Sequence, residues 1–236
     1  VFDEKRVFSA GRDFQPMEFL GVKLGVMICE DMWCDRVSMG LAEAGADIFV
    51  VLNGSPFDVQ KKSARLDYAR ARTEEAGLDL IYVNLVGGQD ELVFDGDSFV
   101  MGRKGVLAQR ACSWQDSLLK TNWKLTKNKW CCQNQDEIEH VDQIEEIYKA
   151  ITLGLRDYVN KNGFPGVLIG LSGGIDSALS AAVAVDAIGP ERVHCVMMPS
   201  PYTSKQSIDD ATEIADLLEC RLDRISIEPA MAAFDE

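Results

Sequence analysis

Two places in the sequence carry residues whose type and order could do chemistry. The first, residues 166–180, reads Gly-Val-Leu-Ile-Gly-Leu-Ser-Gly-Gly-Ile-Asp-Ser-Ala-Leu-Ser. Val167, Leu168, Ile169 and Leu171 make a nearly continuous apolar run, the pattern of a parallel strand covered on both faces. Ser172, Gly173 and Gly174 then remove side-chain bulk at a sharp turn, so consecutive backbone N–H groups can point into one small space where the next helix starts. Such a turn is an anion cradle. It lacks the Lys that follows the last glycine of a Walker loop, and it lacks the spacing of the dinucleotide fingerprint. Asp176 and Ser177 stand at the helix start instead, where an acid makes sense with a magnesium ion between it and bound phosphates. The second place is Cys29, at the end of the β-like run 21–28. Exposure at such a bend suits a nucleophile, whereas a single Cys after a strand is otherwise a small buried hydrophobe.

Positioning these groups takes alternating strands and helices. After a polar turn at 9–15 and the strand 21–28, residues 36–46 read as a helix and 47–52 as a second buried strand. That strand runs into Asn53-Gly54-Ser55-Pro56, the polar, Pro-broken loop in which α/β proteins place ligand contacts. Residues 61–76 form an amphipathic helix stopped by Gly77, its charges read mostly as a solvated face. A third strand at 80–86 precedes a hairpin of 98–101 with 105–109 across Gly102, Arg103 and Lys104. From 111 to 135 the period decays, and Trp114, Trp123 and Trp130 suggest a linker that docks on another surface. In 137–160, Ile144, Ile147, Tyr148, Ile151, Leu155 and Tyr158 recur at helical spacing and are predicted to be core; Gly163 and Pro165 end that helix. A helix at 177–188 and a strand at 193–198 complete a right-handed βαβ unit, which turns the loop 199–204 toward the cradle ahead of an acidic helix at 208–218.

With 236 residues and 47% hydrophobic content, the chain can bury a sizeable core in one or two domains. A net charge of −14 argues against a nucleic-acid partner, since phosphate neutralisation needs clustered Lys and Arg. No apolar run reaches the span of a bilayer and the N-terminus has no signal-peptide pattern, so the cytosol is the expected compartment. Seven cysteines without zinc spacing are expected as reduced thiols, with the adjacent Cys131 and Cys132 exposed and non-functional. His140 and His194 give no pattern for a shared metal. The chain opens inside an ongoing element and stops as its last segment begins, so an internal fragment is expected.

Ser172-Gly173-Gly174-Ile175-Asp176-Ser177 resembles the PP-loop, S-G-G-x-D-S, of the ATP pyrophosphatases, which cleave ATP between the α and β phosphates and adenylate an acceptor. In the first half, Ile28-Cys29-Glu30-Asp31-Met32-Trp33, then Asn53-Gly54-Ser55-Pro56-Phe57, then residues 82–96 resemble the nitrilase-type glutaminase domain of the glutamine-dependent NAD⁺ synthetases. Phe2-Asp3-Glu4-Lys5-Arg6 is similar to the segment after that family's catalytic Lys.

The resemblance implies an α/β chain in two parts. Residues 1–112 would be the C-terminal part of a nitrilase-type αββα sandwich. A linker at 113–136 would lead to the start, 137–236, of a doubly wound, parallel-sheet PP-loop domain of the adenine nucleotide alpha hydrolase kind. By the same resemblance Cys29 attacks the glutamine side-chain amide, Ser55, Lys61, Glu30 and Trp33 contact that glutamine, and the family's Glu and Lys lie before Val1. Glu4 reads as a supporting carboxylate. Gly170, Leu171, Ser172, Gly173, Gly174, Ile175, Asp176 and Ser177 would bind ATP, with magnesium on Asp176. The implied reaction is ATP-dependent amidation of deamido-NAD⁺ to NAD⁺ by a cytoplasmic homo-oligomer. Residues that recognise the dinucleotide would lie mostly beyond Glu236, leaving the piece inactive alone. The rival readings are another PP-loop glutamine amidotransferase and a non-catalytic assembly remnant.

Overall fold

The structure, a computed structural model, describes residues 6–11, 13–133 and 142–234. The chain divides into two units, Val1–Val86 with Phe94–Val141 and Gly87–Val93 with Asp142–Glu236. In chain order the first part holds β1 (Met17–Phe19), β2 (Val22–Ile28), α1 (Asp35–Glu43), β3 (Ile48–Asn53), α2 (Lys61–Ala76) and β4 (Asp79–Asn84). It continues with β5 (Val86–Gln89), β6 (Leu92–Asp95), β7 (Phe99–Met101), β8 (Leu107–Arg110), β9 (Trp123–Thr126) and β10 (Lys129–Cys132). The rest comprises α3 (Gln143–Lys161), β11 (Val167–Gly170), α4 (Ile175–Ile188), β12 (Val193–Met197), α5 (Lys205–Leu217), β13 (Arg221–Arg224) and α6 (Glu228–Phe234).

In the first unit six strands form one sheet in the order β1-β2-β3-β4-β7-β8. β2, β3 and β4 pair in parallel, with Ile28 beside Leu52 and Leu52 beside Val83; β1, β7 and β8 add antiparallel. The apolar runs are long because both faces of these strands are apolar, as expected for parallel strands between layers. One face carries Met27, Phe49, Val51, Leu80, Tyr82, Phe99 and Met101, all buried, and packs with Leu41 of α1 and Ala69 of α2 into a single cluster. Tyr82 and Phe99, opposite each other across β4 and β7, stack at 4.7 Å and 8°. The other face presents Ile28, Leu52 and Val83, which keep 65%, 46% and 43% exposure. α2 has the expected bounds and ends where Gly77 takes the left-handed conformation, φ 63°.

Three expectations need correction here. Arg65 and Arg72 of α2 are buried rather than solvated: Arg65 belongs to the site described below, and Arg72 pairs with Glu75 of the same helix (2.7 Å). The segment 111–135 is not without secondary structure: β9 and β10 form a hairpin whose turn, Lys127 and Asn128, has φ of 51° and 60°. It docks on the first unit through the Cys132 N–H on Asp79 Oδ2 (2.9 Å), which leaves Cys131 and Cys132 half-buried rather than exposed. In α3 the predicted stripe is core only in part: Leu155 packs against the core and Tyr148 is half-buried, but Ile144, Ile147, Ile151 and Tyr158 are exposed, while Ala150, Leu153 and Val159 are buried. The helix is apolar on more than one side, and α4 meets the side that carries Tyr148, Leu155 and Val159, where the Tyr148 hydroxyl donates to Asp186 (2.6 Å).

The second unit is a parallel sheet, β11-β12-β13, with α4 and α5 as its crossovers. Val193, Cys195 and Met197 of β12 meet Ala181, Ala184 and Ala187 of α4 and Ala211 and Ala215 of α5. Arg192 ties the end of α3 to the sheet, donating to Asn160 Oδ1 and to the carbonyls of Phe164 and Pro165 at 2.8 to 3.0 Å. The tip of the β5–β6 hairpin also belongs to this unit. Gly88 N–H donates to Asp157 (2.7 Å), Lys161 donates to the Gly88 carbonyl (2.5 Å), and a Cβ on Gly88 would come within 3.2 Å of Gly154. The α/β architecture expected from the sequence is thus the one observed, apart from the two hairpins.

Phe49 fills the space left by Gly25, where an added Cβ would come 2.9 Å from its ring. Phe49→Ala is expected to lower unfolding free energy by about 3–5 kcal/mol, read from urea denaturation followed by tryptophan fluorescence.

Candidate functional site

Parallel pairing sets the first site. Ile28, Leu52 and Val83 are level across β2, β3 and β4, so Cys29, the 53–55 loop and Asn84 emerge side by side at the carboxyl edge of the sheet. Cys29 has φ 50°, a left-handed conformation that costs a non-glycine residue energy and is found where a reactive side chain is held out of line. It opens a short helical turn, Cys29–Trp33, fixed at one end by Asp31, which accepts the Ile28 N–H (2.9 Å), and at the other by fully buried Met32.

Beneath this edge lies a buried polar network. Arg65, 5% exposed, donates from Nη1 to both oxygens of Asp95 (2.8 Å each), from Nε to Ser55 Oγ (3.2 Å), and from Nη2 to the carbonyls of Ser55 (2.9 Å) and Pro56 (3.0 Å). Asn84 accepts the Ser55 N–H (2.9 Å) and donates to the Ser55 carbonyl (3.2 Å) and to Asp95 (3.3 Å). Every nitrogen of the guanidinium therefore has an acceptor, the condition under which a buried charge is tolerated. Burial pushes the Asp95 carboxyl above its ordinary range, with Arg65 pulling the other way. Burial likewise pushes the Tyr82 hydroxyl up to about 12, against the pull of Arg65 and a hydrogen bond with Ser55, so Tyr82 is neutral at physiological pH.

The remaining residues expected around Cys29 are distributed as follows. Ser55 is buried and its polar groups are engaged in the network. Lys61 is half-buried at the first position of α2, and among the described residues its ammonium has no partner. A cation there opposes the helix dipole, the reverse of what helix stability favours. Glu30 is exposed, and Trp33 stacks on Tyr68 at 5.9 Å and 14°. Glu4 lies outside the described residues, as does His140. Arg65, Asp95, Asn84 and Tyr82 were missed in the sequence, although Asn84 and Asp95 both stand at strand ends.

The second site is the turn from β11 into α4. Leu171 N–H is held by the Val196 carbonyl (2.9 Å), Ser172 N–H by Ser177 Oγ (3.2 Å) and Gly174 N–H by Ser172 Oγ (3.3 Å). Among the described residues the N–H groups of Gly173, Ile175, Asp176 and Ser177 have no acceptor, and these are the donors open to an anion. Gly173 has φ 80°, and a Cβ on it would sit 2.4 Å from the Ser207 carbonyl. Only glycine fits there. The same contact brings the start of α5, capped by Ser204 Oγ on the Ser207 N–H (3.1 Å), against the cradle. The Asp176 carboxylate is exposed, with no partner among the described residues, and no three His, Cys, Asp or Glu among them converge on a metal position. One free carboxylate beside a phosphate cradle fits magnesium, which takes few protein ligands and the rest from phosphate and water. His194 sits on β12 and pairs with Asp223 of β13 (2.9 Å).

The two sites fall in segments that match two different families. Residues 1–126 match the carbon-nitrogen hydrolase family and residues 147–236 the NAD synthase family. The chain is 44% identical to a glutamine-dependent NAD(+) synthetase from Rhodobacter capsulatus, over 100% of this chain and 43% of the relative. It is 41% identical to one from Acinetobacter baylyi, over 99% of this chain and 43% of the relative. The chain thus spans less than half the length of these curated relatives. Among solved structures, a glutamine-dependent NAD+ synthetase from Acinetobacter baumannii in complex with ADP matches with TM-score 0.91 at 41% identity, over 99% of this chain and 44% of that one.

Two substitutions test the geometry. Asp95→Asn leaves the Arg65 charge buried without its counter-ion and is expected to cost about 3–5 kcal/mol in denaturant unfolding. Gly173→Ala is expected to weaken pyrophosphate binding about tenfold or more by calorimetric titration while far-ultraviolet circular dichroism is unchanged.

Proposed function

The chain belongs to the carbon-nitrogen hydrolase family over residues 1–126, and from that premise we propose that it is part of an enzyme that amidates deamido-NAD⁺ to NAD⁺ with glutamine as nitrogen donor. One observation carries this reading. A strained Cys at a strand end and a cradle of unpaired amides occur in one polypeptide, each inside the segment matched by the corresponding family.

In the first reaction Cys29 attacks the side-chain carboxamide of glutamine, forming a thioester and releasing ammonia; water then frees glutamate. A thiolate is reactive at neutral pH when a base or cation is close. The chain's own contribution is placement. The left-handed backbone at Cys29 sets it apart from the strand it ends, and Trp33, Glu30 and Lys61 would line the space around it. Lys61 would hold the glutamine carboxylate, which accounts for an unpaired cation at a helix start. Ser55, locked to Arg65 and Asn84, would give that pocket a fixed wall.

In the second reaction the deamido-NAD⁺ carboxylate attacks the α-phosphorus of ATP, pyrophosphate leaves, and ammonia displaces AMP from the acyl-adenylate. The cradle spanning Gly170, Leu171, Ser172, Gly173, Gly174, Ile175, Asp176 and Ser177 would hold the departing pyrophosphate, through the open N–H groups of Gly173, Ile175, Asp176 and Ser177. Asp176 would hold magnesium, which offsets charge on the phosphates when bound. Among the described residues no helix is long and apolar enough to cross a membrane. The charge of −14 supports small-molecule ligands over a nucleic-acid partner.

The test is a pair of variants in the full-length protein. Cys29→Ala is expected to abolish glutamate release from glutamine while synthesis of NAD⁺ from added ammonia continues. Asp176→Asn is expected to lower AMP formation by about a hundredfold or more and to spare glutamine hydrolysis. Unchanged glutamate release in the first variant, or unchanged AMP formation in the second, overturns the corresponding assignment.

A further inference from the structure

Under the β9–β10 hairpin lies a cavity of about 690 Å³, in the first unit and formed by none of the residues assigned above. Its walls include Arg103, Lys104, Lys127 and Lys129 with Asp79 and Cys131. Asp79 is saturated: Oδ1 accepts the Arg103 N–H (3.1 Å) and Nε–H (3.0 Å), and Oδ2 accepts the Cys132 N–H (2.9 Å). Lys129 donates only to the Gly77 carbonyl (3.3 Å), and among the described residues Lys104 and Lys127 have no partner. Four cations against one carboxylate make a positive well in a chain whose net charge is −14. Cations lining a concavity raise the local concentration of small anions. In this well Cys131 is half-buried, and its sulfur lies 2.9 Å from Arg103 Nη2. The guanidinium N–H fixes the Cys131 sulfur at the wall of the cavity, and a thiol attacks a disulfide through its deprotonated form.

We propose that this cavity is a thiolation site, which gathers a small anionic disulfide and presents Cys131 to it. The step is an exchange with no outside oxidant beyond the disulfide itself. The Cys131 thiol gives its proton to solvent, its sulfur attacks one sulfur of the disulfide, a new S–S bond forms as the old one breaks, and the other half leaves as a thiolate that takes up a proton. The mixed disulfide is reversed by an excess of free thiol. An anionic reagent is selected over a neutral one because the four cations contribute to the encounter and to the bound state, whereas a neutral reagent meets only the sulfur.

The test compares two disulfide reagents of similar size on the full-length protein, dianionic 5,5′-dithiobis(2-nitrobenzoate) and neutral 4,4′-dithiodipyridine, with rates for each cysteine read by peptide mass mapping. The exposed Cys34 and Cys112 serve as internal references. Cys131 is expected to show a dianion-to-neutral rate ratio at least about fivefold above theirs at low ionic strength, converging on theirs in high salt. The double variant Lys104→Gln and Lys127→Gln, at two exposed positions, is expected to lower that ratio about fivefold while the neutral rate at Cys131 is unchanged. A Cys131 ratio equal to that of Cys34, or one indifferent to the double variant, overturns the proposal. Neither result bears on glutamine hydrolysis at Cys29.

Discussion

Parallel strand pairing is the constraint on which both sites rest. When strands run the same way, all their carboxyl ends reach one edge of the sheet, and the loops that leave that edge are brought together however far apart they lie in sequence. In the first unit this aligns Cys29, Ser55 and Asn84 across three neighbouring strands. In the second it sets the turn after Gly170 beside the end of β12, with the Leu171 N–H held by Val196 and Gly173 against the start of α5. The two sites differ in what the edge supplies. One offers a side chain in a strained conformation, the other backbone donors.

The edge of the first unit is stiffened from below. Arg65 joins α2 to the 53–57 loop and to Asp95 near the end of β6, and the ion pair sits where water does not screen it. Replacing such a pair by apolar side chains would often be neutral or stabilising, so its presence is better explained by the arrangement it imposes than by the energy it adds. Ser55 can occupy one position only, because its N–H, carbonyl and hydroxyl are each bound by a different partner group.

Much of this was legible beforehand where chemistry and periodicity coincide. The strand before Cys29, the whole of α2 and the strand, turn and helix around Gly173 follow from apolar runs, a glycine stop and a glycine turn. What escaped reading was set by long-range contact. Arg65 and Arg72 sit in a helix crowded with Lys, Arg and Glu, and nothing local separates a charge that is buried from one that meets water. The β9–β10 turn uses Lys127 and Asn128, not the Asn-Gly pair that announces such a turn, so the alternation around it went unmarked. In α3 the large apolar residues drew attention away from Ala150 and Gly154, whose small size is what allows close packing.

The seat of Gly88 on α3 bears on how the polypeptide can be divided. Residues 87–93 leave the first unit, dock against Gly154, Asp157 and Lys161, and return. A truncation that begins downstream of β10 would therefore excise a strand belonging to the part it means to isolate. It would strip the Asp157 carboxylate of its amide donor and the Lys161 ammonium of its carbonyl, and uncover a glycine groove on the helix. Expression of the second unit alone calls for supplying that short peptide in trans or grafting it onto the new terminus.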